Sequence, residues 1–159
     1  MGEYNTAQVC LNGHMINSMA KTRTERNQDF CDKCGARTIT KCPHCNVSIR
    51  GYYDTSGFSG LEPEIPPSFC YNCGKPYPWT ETKLRAGQEL VEEFDKLTGK
   101  EKDILQKSLG EIIRDTPQTA VATMRFKKLV AKAGGEAAKT LKNLLVDVVR
   151  ETVKKTIWG

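Results

Sequence analysis

The stretch FCDKCGARTITKCPHC, Phe30 to Cys45, holds two C-x-x-C pairs, Cys31/Cys34 and Cys42/Cys45. Which neighbours these pairs join decides the fold. Upstream lies Cys10/His14, in the segment CLNGH, and downstream lies Cys70/Cys73. Two closely spaced ligands on a tight turn approach one ion together, and two such turns complete a tetrahedron. Seven cysteines and His14 thus make eight ligands, enough for two Zn²⁺ ions. Gly35 and Gly74, each directly after a second cysteine, suit a turn that needs an unusual backbone conformation.

Two arrangements compete, sequential ribbons and an interleaved cross-brace, and an internal repeat favours the first. Unit one reads Cys10-x3-His14-x-Ile16, then Phe30-Cys31-x2-Cys34-Gly35. Unit two reads Cys42-x2-Cys45-x-Val47, then Phe69-Cys70-x2-Cys73-Gly74. Gaps of 16 and 24 residues separate the two halves of each unit. Duplication of a complete unit favours sequential pairing. Sites with four protein ligands leave no open position for water or substrate, so both zincs are expected to be structural. His14 thereby leaves the list of acid–base candidates.

A chain of 159 residues, 38% hydrophobic and 27% charged, suits a modest core and excludes a large enzyme with a deep cleft. It has no run of about 18 apolar residues. The start, MGEYNTAQVC, lacks the basic and apolar regions of a secretory signal, so a cytoplasmic location is expected. In that reducing setting C-x-x-C pairs are metal ligands rather than disulfides.

Composition changes near Pro78. Residues 1–79 form the expected tandem zinc-ribbon domain, a small metal-bound β fold, and hold every cysteine and both histidines. Residues 80–159 read as an α-helical interaction or oligomerisation region of about four helices. The first starts at Thr80. The second follows Thr98-Gly-Lys-Glu101, a capping box. The third follows Thr116-Pro117, with Thr as N-cap and Pro at the first helical position, and stops at Gly134-Gly135. The last is expected from Glu136 to Ile157. On it Ala138, Leu141, Leu145, Val148 and Thr152 form an apolar stripe widened by Leu144, Val149 and Val153. Packing against Leu90, Phe94, Leu97, Ile104, Leu105, Leu109, Ile112, Val121 and Leu129 is its expected partner. Self-association comes second and a membrane surface last: Trp158 and the lysines favour the latter, Asp147 and Glu151 oppose it.

The formal charge is +5. Zinc-bound cysteines are thiolates, and seven of them with two dications bring the loaded chain to about +2. Residues 116–159 nevertheless carry nine basic and three acidic side chains. The nine are Arg125, Lys127, Lys128, Lys132, Lys139, Lys142, Arg150, Lys154 and Lys155. They suit an anionic partner, a solvated face, or a counterpart to the acidic ELVEEFD stretch at 89–95. A second candidate surface is SIRGYYDTSGFSG, with Arg50 beside Tyr52 and Tyr53 and with Phe58 beyond. Aromatics next to arginine stack bases and hold phosphate; the plain alternative is one tyrosine covering the ribbon core. Metal-free RNA cleavage needs a base for the 2′-OH, an acid for the leaving oxygen and a cation. His44, Arg50, Tyr52, Tyr53 and Asp54 supply those types, without a recognised spacing. His44, inside CPHC, also reads as an exposed spacer.

VCLNGHMI, FCDKCGARTITKCPHC and FCYNCGKPYPWT together resemble a bacterial family of tandem zinc-ribbon proteins labelled a domain of unknown function. The resemblance covers about residues 4–80 and carries over the eight ligands Cys10, His14, Cys31, Cys34, Cys42, Cys45, Cys70 and Cys73. Similar zinc-finger proteins are linked to antiphage defence as ribonucleases that act as large oligomers and are switched on by phage structural proteins. The resemblance therefore implies RNA as partner, RNA cleavage, a homo-oligomer and a phage structural protein as activator. The alternative is a non-catalytic zinc-ribbon adaptor that oligomerises through its helices and binds a protein partner or membrane surface.

Overall fold

The computed structural model describes residues 2–57, 60–149 and 151–158, and the chain forms two compact units, Met1–Thr82 and Lys83–Gly159. The first is a small β fold, the second is helical. Phe58 and Arg150 fall outside the described residues, as do the side-chain surroundings of Thr152.

Five short strands build the first unit: β1 (Glu3–Thr6), β2 (Gln8–Cys10), β3 (Met15–Asn17), β4 (Thr38–Ile39) and β5 (Arg50–Asp54). They make two small antiparallel sheets, β1-β5 and β3-β2-β4. Around three of the four ligand pairs the chain repeats one device. Bridges Phe30↔Arg37, Lys41↔Ser48 and Phe69↔Pro76 close a loop about each C-x-x-C pair. Inside each loop the first cysteine's carbonyl accepts from the residue after the second cysteine, at 2.8 Å from Gly35 and 2.9 Å from Asn46 and Gly74. That residue needs positive φ, and Gly35 (72°) and Gly74 (73°) supply it without strain. In CPHC the same position is Asn46, at φ 63°, the one non-glycine there among the described residues. Asparagine tolerates the left-handed region better than other side chains. The Cys10/His14 loop has its extra residue and turns instead at Gly13, φ 90°.

The core of this unit runs between the ligand pairs. Ala7, Val9, Ile49, Tyr77 and Trp79 are buried with Cys42 and Cys70, and Met15, Ile39 and Val47 pack at the margin. Gly51 lets β5 pass close to its neighbours, since a Cβ there would run into the Ser18 carbonyl oxygen and lie 2.9 Å from Ala7 N. The aromatic residues filling this core are Tyr77 and Trp79, from the first residues of the helical signal, and neither Tyr52 nor Tyr53.

Helix α1 (Pro78–Glu92) is followed by α2 (Gly99–Ile112), α3 (Gln118–Ala133), α4 (Gly135–Leu145) and α5 (Glu151–Trp158). Thr98 and Glu101 form the expected capping box: Glu101 N–H donates to Thr98 Oγ1 at 3.2 Å and Thr98 N–H to Glu101 Oε2 at 2.9 Å. Pro117 already has helical dihedrals, and Thr116 Oγ1 accepts from Gln118 N–H at 3.2 Å, the N-cap bond. Gly134 N–H closes α3 on the Val130 carbonyl at 2.9 Å, with Gly134 at φ 60°.

The expected single helix from Glu136 to Ile157 is divided. Val146 and Val148 bond carbonyls three residues back, Asn143 at 3.4 Å and Leu145 at 3.0 Å, so the chain tightens and turns. β-Branched valines at 146, 148 and 149 favour helix weakly. Val148 and Val149, in this turn, are both buried. The described part of the apolar stripe is buried: Ala138, Leu141, Leu145, Val148, Val149 and Val153. α3 packs on α2, α4 and α5. Of the expected partners, Val121 is exposed, on the outer side of α3 with Met124. Among the described residues no helix is long and apolar enough to cross a membrane.

Candidate metal centres

The eight candidate ligands fall into two groups, Cys10, His14, Cys31 and Cys34, then Cys42, Cys45, Cys70 and Cys73. Within each group the ligand atoms all lie within 4.8 Å of one another. The grouping is sequential along the chain, with no interleaving. In the first, Cys10 Sγ is 3.8 Å from Cys34 Sγ and 3.4 Å from His14 Nδ1, which is 3.5 Å from Cys31 Sγ. In the second, Cys42 and Cys73 sulfurs are 3.8 Å apart and Cys45 and Cys70 sulfurs 3.6 Å. A tetrahedron with Zn–S bonds of about 2.3 Å has S···S edges of about 3.8 Å, and Zn–N bonds of about 2.0 Å shorten the S···N edge further. These edges therefore fit zinc, and all seven cysteines are free of disulfides. His14 meets the sulfurs through Nδ1.

The thiols are shifted unevenly. The backbone N–H of Ala36 and then the Asn12 side chain lower Cys34 to about 6, and Asn12 Nδ2 donates to its sulfur at 3.3 Å. Burial pushes Cys70 up, but the Cys73 and Asn72 backbone N–H groups, with Cys45 and Cys42, bring it down to about 6. The Asn72 side chain lowers Cys45 first, then the Val47 backbone. Asn12 and Asn72 thus sit alike: each lies inside one ligand loop and reaches a sulfur of the opposite loop. Burial raises Cys10. Four sulfurs or three sulfurs and an imidazole at this distance cannot all be unprotonated without a cation between them.

The two centres differ in surroundings. Cys34 of the first is exposed, while Cys42 and Cys70 of the second belong to the buried core. Gly13 presses the first centre's loop against Trp79, where a Cβ would come within 2.9 Å of the Trp79 Cβ. Trp79 stacks on Tyr77, centroids 4.7 Å apart and planes 19° inclined.

The other candidates spread over the surface. His44 is exposed. Tyr52 is half-buried, its hydroxyl accepting from Gly60 N–H at 3.0 Å. Tyr53 meets Tyr4 at a tilt, centroids 4.7 Å apart and planes 52° inclined, and Asp54 lies opposite Glu3 across β1 and β5. Arg50 lies over two rings, with its guanidinium carbon 4.5 Å from the Tyr4 centroid and 3.8 Å from that of Tyr71. Tyr4 and Tyr71 carry no local sequence signal for this role, because they join Arg50 only through strand pairing and a ligand loop. In the helical unit Lys132 pairs with Glu101 at 2.6 Å and Lys83 with Asp147 at 3.3 Å, both outside the acidic 89–95 stretch. Arg125, Lys127, Lys128, Lys139 and Lys155 are exposed.

A family model described as "Uncharacterized protein conserved in bacteria (DUF2321)" matches residues 3–157, and the chain belongs to that family. The match continues through the helical unit, well past residues 4–80 that carry the ligand motifs. No curated protein and no solved structure matches the chain.

Proposed function

We propose that this member of the DUF2321 family is a zinc-ribbon RNA-binding protein, of the ribonuclease-effector type that acts in bacterial antiphage defence, with two structural Zn²⁺ ions. The observation that carries the RNA reading is the exposed stack of Tyr4, Arg50 and Tyr71, continued by Tyr53. Tyr4, Tyr53 and Tyr71 are 45%, 48% and 51% exposed. A guanidinium lying over rings keeps its N–H edge for a phosphate, and open tyrosine faces accept bases. The basic residues of α3, α4 and α5 add a phosphate-binding field. Cleavage, a homo-oligomeric state and activation by a phage structural protein rest on the resemblance of the ligand motifs. His44, Tyr52, Tyr53 and Asp54 remain the acid–base candidates, since closed centres give a reacting group no coordination position.

The zinc-loaded protein is expected to retain a fluorescent single-stranded RNA in an anisotropy titration. Arg50→Ala or Tyr71→Ala should weaken binding about tenfold, as loss of one stacking contact does. Gel analysis of total RNA, with and without candidate phage structural proteins, reads cleavage. Failure to retain RNA at low salt in any form removes this reading. A non-catalytic adaptor is the second reading, favoured by the exposed Val121 and Met124 side of α3, at 44% and 65%. It gives a defined assembly by light scattering and no nuclease activity at any concentration. Elemental analysis is expected to find two zincs per chain, and His14→Ala to leave about one.

A further inference from the structure

Tyr77 is a buried phenol beside the second centre that neither zinc ligation nor RNA binding uses. It is 1% exposed, and its hydroxyl has no regular hydrogen-bond partner among the described residues. It shares one buried cluster with Cys42 and Cys70, with Cys45 and Cys73 at the edge. Within that cluster the polar atoms nearest in the fold are sulfurs, those of Cys42 and Cys70. A phenol is an O–H donor at neutral pH, and this one lies buried and unpartnered in a cluster of cysteines.

The ring has little freedom to turn away. Tyr77 N–H donates to the Ser68 carbonyl at 3.1 Å, and the Tyr77 carbonyl accepts from Thr80 and Glu81 N–H at 3.0 and 3.2 Å. Its face stacks on Trp79, whose Nε1–H donates to the Pro67 carbonyl at 2.9 Å, and Thr80 Oγ1 donates to the Ser68 carbonyl at 2.8 Å. Residues 67–68 lead directly into Phe69 and Cys70. Phenol and ligand are thus anchored to the same short segment.

We propose that Tyr77 is a positioning residue of the second metal centre, its hydroxyl donating a hydrogen bond to the metal-bound thiolate of Cys70. The inference rests on the zinc reading above. Four thiolates around one dication leave a net charge of −2, against −1 for the three thiolates and neutral imidazole of the first centre. The excess negative charge sits on sulfur, where each proton donor steadies it and slows attack by protons and chelators. Outer hydrogen bonds of this kind commonly change metal affinity about 10–100-fold.

Tyr77→Phe keeps the ring and its stack and removes only the donor. In the cobalt-substituted protein it is expected to move the sulfur-to-cobalt charge-transfer band to lower energy. In the zinc-loaded protein, release to a chelator should quicken about tenfold at the second centre and stay unchanged at the first. Alkylation followed by mass spectrometry assigns each phase to Cys42–Cys73 or to Cys10–Cys34. Trp79→Phe, which loosens the stack but keeps the hydroxyl, should leave the band in place. Release within about twofold of the parent with an unmoved band overturns the proposal. An equal band shift in Trp79→Phe overturns it too, because the shift would then follow packing. If the parent chain binds no metal through Cys42, Cys45, Cys70 and Cys73, the zinc reading itself fails and takes the role of Tyr77 with it.

Discussion

Gly13→Ala and Gly35→Ala make a matched pair, because both glycines serve the same metal centre. Both sit at positive φ, 90° and 72°, so both substitutions incur left-handed strain of about 1–2 kcal/mol. They differ in what the new methyl meets. At Gly35 nothing lies within 4 Å, whereas at Gly13 the Cβ comes to 2.9 Å from the Trp79 Cβ and 3.2 Å from its Cγ. Trp79 is 2% exposed, stacked on Tyr77 and hydrogen-bonded to Pro67, so it cannot step aside freely. Overpacking of such a site costs about 1–3 kcal/mol more. Zinc affinity at the first centre should therefore fall about 5–30-fold in Gly35→Ala and about 30–5,000-fold in Gly13→Ala. Competition with a chromophoric chelator measures both, with alkylation of Cys10, Cys31 and Cys34 as the site-specific readout. Tryptophan fluorescence should change in Gly13→Ala alone. Equal losses in the two variants would refute the packing of the first loop on Trp79.

Two further outcomes follow from single contacts. Gly51→Ala places a methyl against the Ser18 carbonyl, so the β1–β5 pairing should open and the first unit lose about 3 kcal/mol or more, read by urea denaturation of the zinc-loaded chain; an unchanged midpoint would contradict the close approach. Lys132 first, then the Thr98 backbone N–H, hold Glu101 below its ordinary 4.5. A carboxyl depressed on folding stabilises the fold above its unfolded pKa and loses that contribution as pH falls through the folded value. Glu101→Gln should therefore lower the thermal midpoint at pH 7 and flatten its fall below pH 4.5, and superimposable profiles would count against the pairing.

Local chemistry explains which features were legible in the sequence. Ligand spacing, the repeated unit, the Thr98–Glu101 box, the Thr116-Pro117 start and the glycines after Cys34 and Cys73 each declare themselves within a few residues. Asn46 did not, because only comparison with Gly35 and Gly74 shows that its position must turn left-handed. Gly51 did not, because its requirement comes from Ser18 and Ala7, far away in the chain. Tyr77 and Trp79 look like a helix preface in PYPW, yet they are the first unit's largest buried side chains. The division at Val146–Val149 escaped the helical periodicity, since the same valines satisfy the apolar stripe in a straight helix. Arg50 was visible beside Tyr52 and Tyr53, but the rings it covers are Tyr4 and Tyr71.

Gly13 lies against Trp79, Trp79 stacks on Tyr77, and Tyr77 shares a buried cluster with Cys70, so a short series of neighbours joins the loop of one candidate centre to a ligand of the other. Ions taken up at its two ends are expected to load together, because occupancy of the second, inner centre would fix the ring against which the loop of the first, outer centre closes. By thermodynamic reciprocity, filling the outer centre tightens the inner one equally. A metal titration should then be steeper than two separate sites allow, and chains carrying a single ion should be scarce. The protein would pass between empty and full over a narrow range of free zinc.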